Sequence, residues 1–189
     1  SYTKWPTMPN VPELMHEAGL NPRFMFVMRD PIRRIESQWD HVRKNPGFDL
    51  SSPIRDNMIC PSRYHAQLSR FRAVYPERER YLLMMFEELR DPLAMARKCF
   101  EFLGVDPDFK PEIENKNVTK SYSTLELRFE RMGLGKAVGW LPYSLKTMVR
   151  SVLNTSGSAP KMKLDEPKKA ELRALLSDDM RALERDYGV

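Results

Sequence analysis

The stretch FMFVMRDPIRRIES, at residues 24–37, decides the fold. Its first five residues are all apolar, and a run of this length is typical of a strand buried on both faces of a parallel sheet. Asp30 can cap a helix, and Pro31 suits the first turn because its missing N–H needs no intrahelical partner there. Apolar residues then recur at helical spacing, so the sequence predicts a strand that turns directly into a helix ending near residues 45–47.

Arg29 stands at the junction between this strand and this helix. A helix start offers free N–H groups and partial positive charge, and a guanidinium group matches the geometry of phosphate oxygens. Ser37 lies about two turns into the helix, on the same polar stripe as Arg33, and could add a hydroxyl. The junction therefore indicates an anion-binding site. The alternative is that Arg29 pairs with a carboxylate and Ser37 is simply solvated.

The rest of the chain alternates apolar runs with helical patterns. The predicted elements around the opening strand are a short helix closed by Gly19, a helix from 62 to 75, a second buried strand at 81–86, and a helix from 92 to 103 closed by Gly104. This order predicts an α/β fold with a parallel sheet. The later predicted segments are helices at 125–132, 142–154 and 165–187, with a linker at 155–160.

Two polar regions lie outside the predicted strands: the segment at 46–61 and the charged face of the last helix. Residues 46–61 are rich in proline and are predicted to form a loop, and loops of this length in compact domains are usually mobile or functional. Arg55 and Arg63 in or near it could meet an acidic acceptor, with a solvated surface as the alternative. The charged residues of the last helix, Asp178 and Asp179 among them, are expected to form a solvated face.

The amino-acid composition limits the classes of protein to which this chain can belong. The chain has 189 residues, 41% of them apolar, which is typical of one globular domain. The net charge of +5 suits an anionic cofactor or an acidic acceptor. No nucleic-acid-binding motif, no run long enough to span a membrane and no metal-ligand spacing is present. Cys60 and Cys99 are too few for a disulfide scaffold, which favours a reducing compartment.

The junction motif resembles a known family. Arg29, Asp30, Pro31, Arg34 and Ser37 form R-D-P-x-x-R-x-x-S directly after an apolar strand, and this is similar to the 3′-phosphate motif of sulfotransferases. Other landmarks of that family follow in order, namely S-x-Y-x-x-x-L-x-x-F at 62–71, FEEL at 86–89 and FLGV at 102–105. The segments at 1–3 and 11–12 look like those of carbohydrate-modifying sulfotransferases.

The resemblance implies a cofactor and a set of residues that bind it. Sulfotransferases use 3′-phosphoadenosine 5′-phosphosulfate (PAPS) and release 3′-phosphoadenosine 5′-phosphate (PAP). By resemblance, Arg29 and Ser37 bind the 3′-phosphate, and Lys120, Ser121 and Tyr122 close over it. Ser121 stands where the family usually has glycine, so a bulkier residue replaces a flexible backbone donor. Glu87 is expected to have a structural role, capping or pairing near Arg90.

The resemblance also implies a fold that this chain covers only in part. It is a three-layer, P-loop-NTPase-like sulfotransferase fold around a central parallel sheet. The family's first strand and its Gly/Ser/Thr-rich phosphosulfate loop with a lysine have no counterpart in these residues. We therefore expect residues 1–189 to be a single sulfotransferase-like domain, truncated at its N-terminus, whose catalytic base lies upstream and cannot be named.

These features favour one function over two others. The expected activity is transfer of a sulfuryl group from PAPS to a hydroxyl or amine of a small-molecule or carbohydrate acceptor. The alternatives are a non-catalytic nucleotide-binding or interaction module of the same fold, and a kinase-like phosphoryl transferase, which shares the sheet architecture. The expected location is the cytoplasm, or the Golgi lumen if a signal anchor has been removed. The oligomeric state is not predicted.

Overall fold

A computed structural model describes residues 8–42, 54–112, 132 and 163–189 of the chain. The helices and strands are, in order, α1 (Val11–Glu17), β1 (Phe24–Met28), α2 (Pro31–Val42), α3 (Asp56–Ile59), α4 (Tyr64–Val74), β2 (Tyr81–Met85), α5 (Pro92–Leu103) and α6 (Glu166–Tyr187). Of the described residues, one compact unit contains 8–35, 55–112 and 166–189, and a second contains 36–42, 54, 132 and 163–165.

The sheet lies in the first unit. β1 and β2 pair in parallel, and their register runs from Phe24 opposite Tyr81 to Met28 opposite Met85. Because the two strands run parallel, both carboxyl ends lie at one edge of the sheet, and a helix or helical turn follows each of them. The predicted α/β class with a parallel sheet is therefore confirmed, with both strands within one residue of their predicted bounds.

One face of the sheet packs against helices α1, α4 and α6. Phe24 is 8% exposed and its ring lies 5.1 Å from those of Phe71 and Tyr81. Nearer the carboxyl ends, Met28 packs with Leu183 of α6. The buried core on this face is formed by Phe24, Met28, Tyr64, Leu68, Phe71, Tyr75 and Leu183.

The opposite face is covered unevenly. Met84 of β2 is 2% exposed, and the thiol of Cys99 on α5 lies 3.7 Å from its sulfur. Met25 and Val27 of β1, in contrast, remain 46% and 49% exposed. The prediction that β1 is buried on both faces is thus wrong, because α5 covers β2 and leaves the outer residues of β1 about half exposed to solvent.

The helix ends follow local sequence signals. Asp91 caps α5 by accepting a hydrogen bond from the N–H of Ala94 at 3.0 Å. Gly104 ends the same helix in a left-handed conformation, with φ of 74°, which costs glycine little because it lacks a Cβ. Gly19, just beyond α1, also has a positive φ. The predicted ends of both helices are confirmed.

The predicted loop at 46–61 is partly helical. Residues 43–53 lie outside the described part, but Asp56–Ile59 form α3 and Cys60–Ser62 continue as a 3-10 turn. Met58 and Ile59 are 4% and 6% exposed, so their burial fixes a segment whose prolines suggested a loop. Three further predictions also fall outside the described residues. They are the helix at 125–132, of which the structure describes Met132 alone, the helix at 142–154 and the linker at 155–160.

The bounds of the last helix match the prediction, whereas Leu175, predicted to lie on its buried stripe, is 48% exposed. α6 begins at Glu166, and Leu172, Leu176 and Leu183 form its buried stripe.

In the second unit, the Leu164 N–H donates to the carboxylate of Glu36 at 2.9 Å. No helix in the described ranges combines the length and apolar character that a membrane span requires.

Candidate anion-binding site

The backbone of Arg29 is held by the side chain of Tyr64. The Arg29 N–H donates to the Tyr64 hydroxyl oxygen at 3.2 Å, and the Tyr64 O–H donates to the Arg29 carbonyl at 2.9 Å. Tyr64 is 8% exposed, and its burial raises the pKa of the phenol, so it remains a neutral donor. The first residue of α4 thereby fixes the position at which β1 ends.

Asp30 caps the helix that follows. The Arg33 N–H donates to Asp30 Oδ1 at 2.8 Å, and the Arg34 N–H donates to the Asp30 carbonyl at 2.9 Å. This confirms the predicted cap and the start of α2 at Pro31. The predicted anion site depended partly on free N–H groups at the start of this helix. One of them, the Arg33 N–H, already donates to the carboxylate of Asp30. The guanidinium of Arg29 is therefore the stronger anion-binding group at this junction.

The side chain of Arg29 has unused hydrogen-bonding capacity. Its guanidinium carbon lies 4.8 Å from the ring centroid of Phe86, which directly follows β2. Its Nε is buried and has no hydrogen-bond partner, and the guanidinium forms no ion pair within the described residues. A buried donor that is left unsatisfied costs roughly 1–3 kcal/mol. The alternative to anion binding, an ion pair between Arg29 and a carboxylate of the protein, is thus not found among the described residues.

Two other arginines share one of these features. The Nε atoms of Arg63 and Arg72 are also buried without a partner. Arg72, however, lies over the ring of Tyr187 at 5.5 Å and donates to the Pro76 carbonyl. Neither residue follows a strand of the sheet. Only at Arg29, among these three, does the unsatisfied donor coincide with the carboxyl ends of parallel strands, where ligands of open α/β sheets bind.

A pocket of about 380 Å³ opens at this edge of the sheet. Its volume falls within the range of small-molecule sites. Arg29 and Asp30 line it from the strand–helix junction, and Glu87 lines it from beyond β2. The other lining residues are Met28, Pro31, Arg33, Tyr64, Met85, Met180, Leu183 and Val189. The pocket therefore combines apolar walls with a few charged groups, as ligand sites do.

Arg34, the second arginine of the motif, has a structural role. Its Nη1 donates to the Ser62 hydroxyl at 3.1 Å and to the Met58 carbonyl at 3.4 Å. Ser62 is fully buried, and burial lowers the pKa of Arg34 from its ordinary value. The guanidinium thus ties α2 to the segment that contains α3.

The predicted site residues stand as follows. Arg29 lies at the junction described above, in the first unit. Ser37 is exposed on α2, in the second unit. Lys120, Ser121 and Tyr122 lie outside the described residues. A shared site for these five residues remains a prediction.

Sequence reasoning missed the positions of three residues at this edge, namely Tyr64, Phe86 and Glu87. Tyr64 and Phe86 belong to quoted landmarks, but neither was given a role at the site. Phe86 could have been found, because strands in parallel register from Met28 and Met85 bring the next residues, Arg29 and Phe86, side by side. The expected structural role of Glu87, capping or pairing near Arg90, is wrong: Glu88 accepts the Met85 N–H at 2.6 Å, while Glu87 lines the pocket and forms no hydrogen bond or ion pair within the described residues.

Comparison with known proteins gives one finding about the fold. No protein-family model matches the chain. The chain is similar to the crystal structure of a sulfotransferase from Alicyclobacillus acidocaldarius, with 19% sequence identity and a TM-score of 0.59. The match covers 97% of this chain but 60% of the other, so this chain spans less than two thirds of that protein's length. At this level of identity, the likeness establishes that the chain has a sulfotransferase-like fold.

Proposed function

We propose that this chain is the nucleotide-binding part of a PAPS-dependent sulfotransferase. The observation that carries the proposal is the buried, unsatisfied Nε of Arg29 at the carboxyl ends of β1 and β2. A guanidinium in this position suits a phosphate group, whose oxygens accept two N–H bonds at once. The likeness to a sulfotransferase structure supports the same reading at the level of the fold.

In this proposal, the described residues hold the cofactor and do not perform the transfer. Arg29 binds the 3′-phosphate, and Tyr64 keeps the Arg29 backbone in place through its two hydrogen bonds. Ser37, Lys120, Ser121 and Tyr122 are proposed as further contacts to the nucleotide. When bound, PAPS supplies the sulfuryl group that moves to a hydroxyl or amine of the acceptor. The catalytic base is not assigned to any residue of this chain.

The proposal extends to the remaining features that the resemblance implies. The fold is the three-layer, P-loop-NTPase-like arrangement, and the chain is one domain without the phosphosulfate loop. The acceptor is a small molecule or a carbohydrate. These statements rest on the sequence motifs together with the fold. The proposed location, the cytoplasm, rests instead on the low number of cysteines.

Binding of PAP to an Arg29 variant tests the proposal. Arg29→Ala should weaken the affinity for PAP at least tenfold, because a hydrogen bond to a charged group contributes roughly 1.5–3 kcal/mol. Isothermal titration calorimetry measures the affinity directly. Arg173→Ala is the matched control, since Arg173 is an exposed arginine on α6 and its side chain is 61% exposed; it should bind PAP like the wild type.

Two outcomes would contradict the proposal. One is equal affinity of wild type and Arg29→Ala for PAP. The other is no binding of PAP to the wild-type chain, together with saturable binding of ATP and magnesium, which would favour a kinase-like protein instead.

A further inference from the structure

Phe86 is an aromatic residue that stays outside the buried core. It directly follows β2, is 44% exposed, and packs against neither of the hydrophobic clusters that bury Phe24 and Met28. Its ring centroid lies 4.8 Å from the guanidinium carbon of Arg29. A cation within about 6 Å of an aromatic centroid is attracted by the negative face of the ring. The contact with Arg29 therefore gives this exposed ring a role.

The ring lies outside the pocket that Arg29 lines. Arg29 belongs to the walls of the pocket of about 380 Å³, whereas Phe86 is not among the described residues that form them. An effect of Phe86 on a ligand in this pocket must therefore pass through Arg29. Tyr64 holds the backbone of Arg29 by two hydrogen bonds, so two aromatic residues hold the two ends of the same arginine.

The charged side chains that line the pocket balance one another. Arg29 and Arg33 are positive. The negative charges belong to Asp30, whose Oδ1 accepts the Arg33 N–H, and to Glu87, which has no partner in the described residues. Either carboxylate would neutralise the Arg29 guanidinium if the two formed an ion pair. The Arg29 side chain nevertheless forms no hydrogen bond or ion pair within the described residues, and its Nε is buried without a partner.

We propose that Phe86 is a positioning residue, whose ring holds the Arg29 guanidinium away from Asp30 and Glu87 and so keeps it available to a phosphate group. The contact attracts the guanidinium without a carboxylate, so the charge of Arg29 is not neutralised before the ligand binds. The inference rests on the proposed function to the extent that this phosphate group is the 3′-phosphate of PAP.

Titration calorimetry with PAP on the full chain tests the role of the ring. Phe86→Leu should weaken the affinity for PAP about three- to fivefold, because an exposed cation–π contact contributes at this level. Phe102→Leu is the matched control, since the Phe102 ring also lies against an arginine, with its centroid 5.8 Å from the guanidinium carbon of Arg23. Arg23 precedes β1, at the end of the strand opposite to Arg29, so this variant should bind PAP like the wild type.

Fluorinated phenylalanines at position 86 separate the electrostatic contact from packing. The 4-fluoro and pentafluoro forms keep the shape of the ring closely, but fluorine withdraws electron density and weakens the negative face. The affinity for PAP should therefore fall stepwise from phenylalanine to the 4-fluoro and then the pentafluoro form. Melting curves check that each protein is folded. Equal affinities across the series would overturn the proposal.

The carboxylate of Glu87 provides a second readout, which a purely structural role of Phe86 would not change. Glu87→Gln removes one competitor for Arg29. It should therefore raise the affinity for PAP by a factor about two or more larger in Phe86→Leu than in the wild type, because the two residues act on the same guanidinium. Additive effects of the two substitutions would overturn the claim that the ring keeps Arg29 away from Glu87.

Inorganic phosphate separates this proposal from the proposed function. If PAP does not bind the wild type, but phosphate binds and Phe86→Leu weakens it, the sulfotransferase proposal fails and the positioning role stands. If neither PAP nor phosphate binds, both proposals fail. If PAP binds in an Arg29-dependent manner and Phe86→Leu binds it equally well, the positioning role alone fails.

Discussion

At the scale of single residues, one hydroxyl organises the start of the candidate site. The Tyr64 hydroxyl forms hydrogen bonds with both the N–H and the C=O of Arg29, the residue that follows β1. Sequence reasoning found Arg29, Asp30 and Pro31, because a cap and a first-turn proline act within four residues. It gave Tyr64 no role here, since this contact joins residues 35 positions apart and depends on how α4 packs.

Removing this hydroxyl should destabilise the protein. In Tyr64→Phe, two backbone groups of a partly buried residue lose their partner, so the free energy of unfolding should fall by about 1–3 kcal/mol. Urea denaturation measures the change. Tyr187→Phe serves as the control, because the Tyr187 hydroxyl has no hydrogen bond within the described residues, and it should change stability by less than about 0.5 kcal/mol. Equal stability of the two variants would show that the Tyr64 hydroxyl is dispensable.

At the scale of elements, α6 supplies the cap that α4 lacks. Asp179 accepts the N–H of His65 at 3.0 Å through Oδ2 and the N–H of Ala66 at 2.9 Å through Oδ1. Arg63, the residue before α4, makes no side-chain cap of its own. The prediction that Asp179 belongs to a solvated face is therefore wrong. Neighbouring Asp178, whose side chain is 94% exposed, does lie in solvent.

The two adjacent aspartates allow a matched test of this cap. Asp179→Ala should lower the free energy of unfolding by about 1–2 kcal/mol, because it removes an N-terminal cap and leaves two N–H groups unsatisfied. Asp178→Ala should change it by less than about 0.5 kcal/mol, since its exposed ion pair contributes little. Chemical denaturation of both variants measures the difference. Similar values for the two would refute the capping role of Asp179.

At the scale of the whole molecule, the sequence predicted the elements better than their contacts. The strands, the order of helices and the parallel pairing follow from hydrophobic periodicity and from the rule that parallel strands need crossover connections. The half-exposed side of β1 was not predicted, since five apolar residues look the same whether a helix covers them or not. The site could be predicted only as far as Arg29, because the pocket walls come from Met85 and from Met180 on α6.

The carboxylate of Asp186 on α6 should make stability depend on acidic pH. Hydrogen bonds from Arg185, and then from His65 at 2.8 Å, lower the pKa of Asp186 from 3.8 to about 2. Since the folded state binds this proton less tightly than the unfolded state, the stabilisation is present above pH 3.8 and is lost as the pH falls towards about 2.

Asp186→Asn tests this dependence. The variant should lose less stability than the wild type between pH 5 and about 2.5, because it removes one carboxyl group that titrates differently in the two states. The urea midpoint measured across this range provides the comparison. Asp178→Asn should keep the wild-type pH dependence. A slope unchanged by Asp186→Asn would mean that this carboxylate contributes nothing to acid sensitivity.

The distance in sequence between α4 and its cap bears on how the chain folds during synthesis. Asp179 emerges 114 residues after His65, so at about 5–20 residues per second the ribosome adds it roughly 6 to 23 seconds later. Until then α4 has an uncapped first turn, and Leu68 lacks its neighbour Leu183. Nascent chains stalled before α6 should therefore present an apolar surface that chaperones bind, whereas full-length chains should bury it.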